Sequence, residues 1–222
     1  MPAKKPIGFI DFGCGSGNSL IYLRNLLGEE GHGIDLSEEE VATCRQAGLS
    51  AEQGNLLNYA GRNTAAIITA VDLLPEIGDR LDFEQAMSRM ILAARNYVLI
   101  QHNYYDADSL LALRGAQVAG NFGKRIRFKP MVSDYLHLLE RITASHAVCG
   151  FAFFGMGEAR ISPLAFPGME LPAEPGGSDM PVYRSLRVLI GRKELPRFRA
   201  GLRKVRTGQP LLLWERPDPA QA

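Results

Sequence analysis

Three glycines at alternate positions follow a short apolar run near the start of the chain. The stretch reads FIDFGCGSGNS, with Asp11 two residues before Gly13, and with Gly15 and Gly17 behind it. Glycines directly after a strand let the backbone turn sharply and bring a ligand against bare N–H groups at the N-terminus of the next helix. A nucleotide-like ligand suits this position. The dinucleotide pattern G-x-G-x-x-G is not met, because Asn18 occupies the place of its third glycine, so an NAD-dependent oxidoreductase is disfavoured.

A second group of side chains able to do chemistry lies in the stretch QHNYYDAD, which follows the apolar run NYVLI. Ligands of open α/β sheets collect at the carboxyl ends of the strands. His102 could therefore act there as the catalytic general base, and Tyr104 and Tyr105 could line a substrate pocket. The alternative is that these side chains pack at the strand end with only their polar tips in water.

The cysteines indicate neither a metal site nor a disulfide framework. Cys14, Cys44 and Cys149 are widely spaced, odd in number and part of no CxxC pattern. A reducing cytoplasm is the expected compartment, and Cys14 is expected to be a packed residue rather than a nucleophile. No run of about 18 apolar residues exists, so no membrane span is predicted.

Alternating strands and helices must position these residues in the first half of the chain. Residues 7–12 and 31–35 read as strands, and leucines at helical spacing follow the first of them. Ser37 with three acids behind it predicts the N-cap of a second helix. The nearly continuous apolar run TAAIITAVDLL, a helix over about 83–95 and the strand NYVLIQH then predict a sheet covered on both faces.

The second half continues this rhythm with longer connections. We expect a helix near 107–118, a basic loop, and a helix that starts at Ser133. Two strands, HAVCGFAFFG and VYRSLRVLIGR, are separated by a stretch rich in proline and glycine at about 158–180. A connection of this length predicts an insertion that could act as a lid over a site, or a plain surface loop. A basic helix and a last apolar strand or packed segment complete the chain.

The motifs, in this order, resemble those of class I S-adenosylmethionine-dependent methyltransferases. Motif I of that family, D/E-x-G-x-G-x-G, is matched at each defined position by DFGCGSG, and TAVDLLPEI resembles the segment xxDVLEHI of its fourth strand. The resemblance covers residues 6–105. It implies a doubly wound α/β fold with a seven-stranded, mostly parallel, Rossmann-like sheet in the order 3-2-1-4-5-7-6 and an insertion between strands 6 and 7. The single domain, 1–222, would then comprise a cofactor-binding half, 1–106, and a substrate-side half, 107–222.

The same resemblance implies a site for S-adenosylmethionine and for no metal. Asp35 ends the second strand where the family places an acid that can accept hydrogen bonds from both ribose hydroxyls. Asn55 stands where the family often has an acid beside the adenine, so it keeps an acceptor oxygen but lacks the charge. The residues implied to contact the cofactor are Asp11, Gly13, Cys14, Gly15, Gly17, Asp35, Leu36, Asn55, Leu56, Val71 and Asp72.

Charge is unevenly distributed along the chain and bears on the acceptor. Residues 1–111 hold 8 Lys and Arg against 15 Asp and Glu, whereas residues 112–222 hold 17 against 9. The basic half could meet an anionic acceptor, or it could simply carry solvated faces. The basic clusters that could hold phosphate or carboxylate are Lys124, Arg125, Arg127 and Lys129, and Arg197, Arg199, Arg203, Lys204 and Arg206.

The expected activity is methyl transfer to a small or medium-sized acceptor, whether a small molecule, a lipid-linked compound or a glycan. No D/N-P-P-Y motif follows the fourth strand, which disfavours amino methylation of adenine, cytosine or glutamine, and no Pro-Cys pair supports attack on cytosine C5. A nucleic-acid acceptor is therefore not expected, and RNA is the weaker alternative. The competing interpretation is a binding or regulatory protein that keeps the cofactor fold without catalysis. Direct displacement needs no obligatory catalytic residue, so the sequence does not separate the two. It makes no prediction of the oligomeric state.

Overall fold

The computed structural model describes residues 7–106, 128–143, 148–158 and 183–217. The first half contains β1 (Phe9–Phe12), α1 (Asn18–Leu27), β2 (Gly31–Asp35), α2 (Glu38–Gln46), β3 (Ala51–Gln53), β4 (Ala65–Val71), α3 (Arg80–Ala93) and β5 (Ala94–Asn103). The second half contributes α4 (Val132–Ile142), β6 (Val148–Glu158), β7 (Tyr183–Arg192), α5 (Leu195–Val205) and β8 (Leu212–Glu215). Short 3-10 turns at Leu56–Asn58 and Leu74–Glu76 follow β3 and β4.

The strands form one sheet in the order β3-β2-β1-β4-β5-β7-β6-β8. The five strands from β3 to β5 are parallel, and β7, β6 and β8 each run antiparallel to their neighbours. The predicted order of seven strands is confirmed, and the apolar tail segment adds an eighth strand beside β6. The chain moves outward from β1 through β2 and β3, and then in the other direction through β4 and β5. The strand order therefore reverses between β1 and β4, the point where ligands of doubly wound sheets bind.

Helices cover both faces of the sheet. Side chains of α1, α2 and α5 pack on one face, and those of α3 and α4 pack on the other. The sequence of β4 is nearly all apolar because its successive side chains pack on opposite faces of the sheet. Ile67 packs on the face covered by α1, α2 and α5, and Ile68 packs on the face covered by α3 and α4. A strand buried on both faces needs apolar residues at successive positions rather than at alternate ones. Among the described helices, none combines the length and the apolar character needed to cross a membrane.

The caps of two helices follow from their local sequence, whereas α1 lacks a side-chain cap. The Ser37 hydroxyl accepts a hydrogen bond from the Glu40 N–H at 3.2 Å, as predicted, and Asp79 caps α3. α1 begins after Gly17, which has no side chain and a left-handed φ of 101°. The N–H groups in the first turn of α1 therefore have no side-chain acceptor at the N-cap.

The start of α4 differs from the sequence prediction. The helix begins at Val132 and not at Ser133, because the Asp106 carboxylate, 26 residues earlier, accepts a hydrogen bond from the Val132 N–H at 3.0 Å. The predicted helix at 107–118, the basic residues of the loop before Phe128, and nearly all of the 158–180 insertion lie outside the described residues.

Candidate functional site

The glycine loop connects β1 to α1 and lies at the reversal of the strand order. Gly13, Gly15 and Gly17 all have left-handed φ angles, of 71°, 51° and 101°. A Cβ on Gly17 would lie 2.9 Å from the Cys44 Sγ, so packing against α2 requires glycine there. A Cβ on Gly15 would meet only the Glu40 carboxylate, at 4.0 Å. The missing side chain of Gly15 therefore leaves open space beside the loop.

A first cavity of about 360 Å³ lies on the β2 side of the glycine loop. Its volume is within the range of roughly 300–1,000 Å³ that small-molecule sites occupy. It is lined by side chains from the carboxyl ends of β1 and β2 and from the segments that follow β3 and β4. The predicted cofactor residues that line it are Gly13, Asp35, Leu36, Asn55 and Leu56.

Asp35 is fixed at the end of β2 by two backbone donors. One carboxylate oxygen accepts a hydrogen bond from the Gly15 N–H at 2.9 Å, and the other accepts one from the Ser37 N–H at 2.9 Å. Each carboxylate oxygen has two lone pairs, so both oxygens can accept one further hydrogen bond from a ligand. The half-buried Asp35 thus couples the glycine loop to the first cavity.

Asn55 uses its acceptor oxygen within the fold. Its side-chain oxygen accepts a hydrogen bond from the Leu57 N–H at 2.9 Å and caps the short turn after β3. In the part of the chain that the structure describes, no group accepts a hydrogen bond from the Asn55 amide nitrogen. Asn55 therefore offers hydrogen-bond donors to a ligand in the first cavity. The sequence analysis had stressed its acceptor oxygen instead.

A second cavity of about 440 Å³ lies on the other side of the loop, toward α1. Gly13 lines both cavities, so the two adjoin at the start of the loop. The predicted cofactor residues that line the second cavity are Gly13, Cys14, Gly15, Val71 and Asp72. Ser19, Tyr22 and Gln101 also line it, and the sequence analysis had not singled them out.

Asp72, which lines the second cavity, has an unusual backbone conformation. It is exposed, and its φ of 54° is left-handed, which costs a residue with a Cβ about 1–2 kcal/mol. The Asp72 N–H donates to the Gln101 carbonyl at 2.8 Å and ties the end of β4 to β5. Strained residues of this kind cluster at ligand sites, where the surrounding structure holds them in place.

Asp11 lies beneath the cavities rather than on their surface. It is fully buried, and its carboxylate accepts hydrogen bonds from the Ser19 hydroxyl at 2.6 Å and from the Thr69 hydroxyl at 2.7 Å. Burial raises the pKa of Asp11 to about 6, although both hydroxyl groups lower it. In this structure the Asp11 carboxylate links β1, β4 and α1, and its contact with the cofactor stays a prediction. Gly17 also lines neither cavity.

His102 is enclosed by aromatic side chains. It is 1% exposed, its Nδ1 donates to the Asn103 carbonyl at 2.6 Å, and its Nε2 accepts from the Tyr135 hydroxyl at 2.7 Å. Burial lowers the pKa of His102 to about 4, so the ring is neutral at pH 7. It lines neither cavity, and its role as general base stays a prediction.

The two tyrosines that were predicted on the substrate side differ in exposure. Tyr105 is buried against the His102 ring, with the ring centroids 5.7 Å apart. Tyr104 is half-buried and meets the Tyr183 ring edge-on at 5.9 Å. Of the two, Tyr104 is the one with surface left for a ligand at the carboxyl end of β5.

The cysteines in this region are packed residues. The Cys14 and Cys44 sulfurs lie 4.0 Å apart, both residues are buried, and burial raises the pKa of both thiols. A thiol that resists deprotonation is a poor nucleophile. Within the described ranges, no group of three or more His, Cys, Asp or Glu side chains is arranged to hold a metal ion.

Comparisons with known proteins agree with this topology. The family described as "Methionine biosynthesis protein MetW" matches residues 5–69 of the chain. A curated relative, norajmaline N-methyltransferase of Rauvolfia serpentina, is 24% identical over 110 residues, which are 46% of this chain. The match spans only 38% of the length of that relative.

Two solved structures extend the comparison over most of the chain. A SAM-dependent methyltransferase from Methanosarcina mazei is 12% identical and superposes with a TM-score of 0.58, over 85% of this chain and 93% of the other. The magnesium protoporphyrin IX methyltransferase from Synechocystis, with S-adenosylhomocysteine bound, is 16% identical with a TM-score of 0.53, over 85% and 76% of the two chains. The chain thus has the fold of the class I S-adenosylmethionine-dependent methyltransferases.

Proposed function

We propose that the chain binds S-adenosylmethionine across the two cavities and transfers its methyl group to a small or medium-sized acceptor. The observation that carries this proposal is the location of the cavities, which adjoin at Gly13 over the carboxyl ends of β1, β2 and β4. Open α/β sheets bind their ligands at such a reversal of strand order. The similar Synechocystis methyltransferase with bound S-adenosylhomocysteine supports this choice of cofactor.

The first cavity fits the adenosine part of this cofactor. The Asp35 carboxylate, held by two backbone donors, retains an acceptor site on each oxygen for the two ribose hydroxyls. Leu36 and Leu56 provide apolar surface for a flat base. The free Asn55 amide donors suit the ring nitrogens of adenine, which accept hydrogen bonds.

Methyl transfer requires the protein mainly to align the acceptor with the methyl group. When bound, S-adenosylmethionine supplies a methyl group on a positively charged sulfur, which a nucleophile can displace in line. The residues of the chain then hold the ligand, orient the acceptor and exclude water. We assign Tyr104 to the acceptor side, because it is half-buried at the carboxyl end of β5. Small-molecule, lipid-linked and glycan acceptors, including anionic ones, are all compatible with this arrangement.

Replacement of Asp35 tests the proposal. We expect wild-type protein to bind S-adenosylhomocysteine, and Asp35→Asn to weaken this binding roughly 10- to 100-fold, since a hydrogen bond to a charged group contributes about 1.5–3 kcal/mol. Asparagine keeps only one of the two oxygens, so one of the two backbone donors loses its acceptor. We therefore also expect a modest loss of stability, which thermal unfolding of the ligand-free variant measures. Calorimetric titration measures the affinity.

Glu52→Gln is the matched control for Asp35→Asn. Glu52 is an exposed acid on the neighbouring strand β3, and its carboxylate lies 3.6 Å from the His32 ring. Its replacement should leave the affinity unchanged. Equal affinities of Asp35→Asn and wild type would count against the proposed ribose contact. Transfer of a labelled methyl group to small-molecule, lipid-linked and glycan acceptors then separates catalysis from binding alone.

A further inference from the structure

A buried arginine lies behind the second cavity. Arg187 is in β7, directly opposite Gln101 of β5, and is only 4% exposed. Its guanidinium donates to the Gln101 side-chain oxygen at 2.9 Å, to the Tyr22 hydroxyl at 2.6 Å and to the Val205 carbonyl at 2.6 Å. All of these acceptors are neutral groups, and two of them belong to residues that line the cavity.

The charge of Arg187 has no counter-charge in the described parts of the chain. None of the described carboxylates forms an ion pair with its guanidinium. Burial of an isolated charge is unfavourable, and proteins normally pair such groups. Arginine nevertheless stays protonated in proteins, so its charge adds a positive potential to the adjoining cavity.

The guanidinium also fixes the orientation of the Gln101 amide. The Gln101 side-chain oxygen accepts from the Nε of Arg187 at 3.2 Å, from its Nη2 at 2.9 Å and from the Tyr22 hydroxyl at 3.1 Å. A flipped amide would direct its NH₂ group at the donors of Arg187 and is therefore excluded. No described residue accepts a hydrogen bond from the Gln101 amide nitrogen. Two N–H donors thus remain for a ligand in the second cavity, which Gln101 lines.

Two further groups of lining residues add charge or partial charge to the second cavity. Asn18 and Ser19, in the first turn of α1, also line it, and the N-cap Gly17 has no side chain to satisfy their N–H groups. The positive end of the α1 dipole therefore adds to the positive potential that Arg187 produces in the cavity. Asp72 lines the cavity as well and is the one acidic residue among its described lining residues. A ligand with a carboxylate and an ammonium group would find partners of opposite charge for both.

We propose that Arg187 is a positioning residue, which locks the Gln101 amide and supplies the charge with which the second cavity selects the α-amino-acid end of the cofactor. The inference rests on the proposed function, because S-adenosylmethionine and S-adenosylhomocysteine carry such a group. The ligand carboxylate accepts from the Gln101 amide and lies in the positive potential of Arg187. The Asp72 carboxylate faces the ligand ammonium group.

The test compares S-adenosylhomocysteine with 5′-methylthioadenosine, which has the same nucleoside but no amino-acid group. Gln101→Glu replaces the free amide by a carboxylate that pairs with Arg187 and keeps the Tyr22 contact. We expect this variant to unfold at the temperature of wild type or above it. Its affinity for S-adenosylhomocysteine should fall at least roughly tenfold, whereas that for 5′-methylthioadenosine should stay within about threefold. A merely structural role of Gln101 would not change the ratio of the two affinities.

Removal of the arginine itself has a matched control on the same strand. Arg187→Met should lose the same discrimination, together with some stability, because Tyr22 and Val205 lose a donor. Arg192 is also buried in β7, but it donates to the Ile91, Leu92 and Ala94 carbonyls, far along the strand from the cavity. Arg192→Met should therefore lose stability and keep the affinity ratio of wild type.

Two results would overturn the inference while leaving the proposed function intact. One is wild-type protein that binds both nucleosides equally well. The other is a set of variants in which Gln101→Glu and Arg187→Met weaken both nucleosides by the same factor, or neither. Failure of wild-type protein to bind either nucleoside would contradict the proposed function, and the inference with it.

Discussion

Gly15→Ala should weaken the binding of S-adenosylhomocysteine by roughly 10- to 100-fold, whereas Gly28→Ala should leave it unchanged. The added methyl group at Gly15 meets no protein atom closer than the Glu40 carboxylate at 4.0 Å, so it occupies space beside the loop that the ligand needs. Forcing an extra carbon into a filled site costs about 1–3 kcal/mol, which corresponds to this loss of affinity.

Gly28 is a matched control because it shares the backbone conformation of Gly15 without its position. The φ of Gly28 is 68° and that of Gly15 is 51°, and a Cβ on Gly28 would have no neighbour within 4 Å. Each substitution should therefore lower the free energy of unfolding by about 1–2 kcal/mol through left-handed strain alone. Titration and thermal unfolding of both variants measure the two effects separately. If Gly15→Ala binds as wild type does, the loop is only a tight turn.

Asp11→Asn should raise the free energy of unfolding at about pH 7.5 by up to about 3 kcal/mol, and should have little effect near pH 4. Burial raises the pKa of Asp11 from 3.8 to about 6 in the folded protein. As the pH rises from 3.8 to about 6, the Asp11 carboxyl group loses its proton in the unfolded chain before it does so in the folded protein. The raised pKa of Asp11 therefore lowers the free energy of unfolding above about pH 4, and asparagine removes this penalty.

The hydrogen bonds around Asp11 allow this replacement. The Ser19 and Thr69 hydroxyls have alternative acceptors in the Cys14 and Ile10 carbonyls, each at 3.2 Å. Either hydroxyl can therefore rotate and accept from the new amide. Urea unfolding at several pH values measures the effect. A variant that is less stable than wild type at about pH 7.5 would contradict the assignment of a raised pKa to Asp11.

The buried His102 changes the free energy of unfolding with pH in the opposite direction from Asp11. Burial lowers the pKa of His102 from 6.5 to about 4, so the unfolded chain binds a proton first as the pH falls through this window. The free energy of unfolding therefore rises with pH between about 4 and 6.5, while the Asp11 contribution falls. In Asp11→Asn the His102 contribution remains alone. The variant should thus show a steeper rise with pH than wild type.

The parts of the site that the sequence predicted well are local. The glycine loop, Asp35 and Ser37 belong to one β–loop–α–β unit, so their spacing along the chain determines their spacing in the fold. The alternation of apolar strands and helices also predicted a doubly wound sheet, whereas the order of its first seven strands was implied by the resemblance to the methyltransferase family and is confirmed. The loop conformation depends on the glycines themselves, which is why a sequence motif can encode it.

The parts that the sequence did not predict depend on distant contacts. Arg187 and Gln101 are 86 residues apart and meet only because β7 pairs with β5. The signal that was present is a single charged residue inside the apolar run SLRVLIG, since such a residue needs buried partners. The enclosure of His102 by Tyr135 depends on the docking of α4, which no local pattern at the end of β5 reveals.

Calorimetric titration of the wild-type chain with S-adenosylhomocysteine, and separately with NAD, is the measurement that tests the central claim most directly. The adjoining cavities and the Asp35 carboxylate predict that one molecule of S-adenosylhomocysteine binds per chain, and that NAD produces no binding heat at the same concentration. Saturable binding of NAD, or no binding of S-adenosylhomocysteine, would contradict the assignment of this site to S-adenosylmethionine.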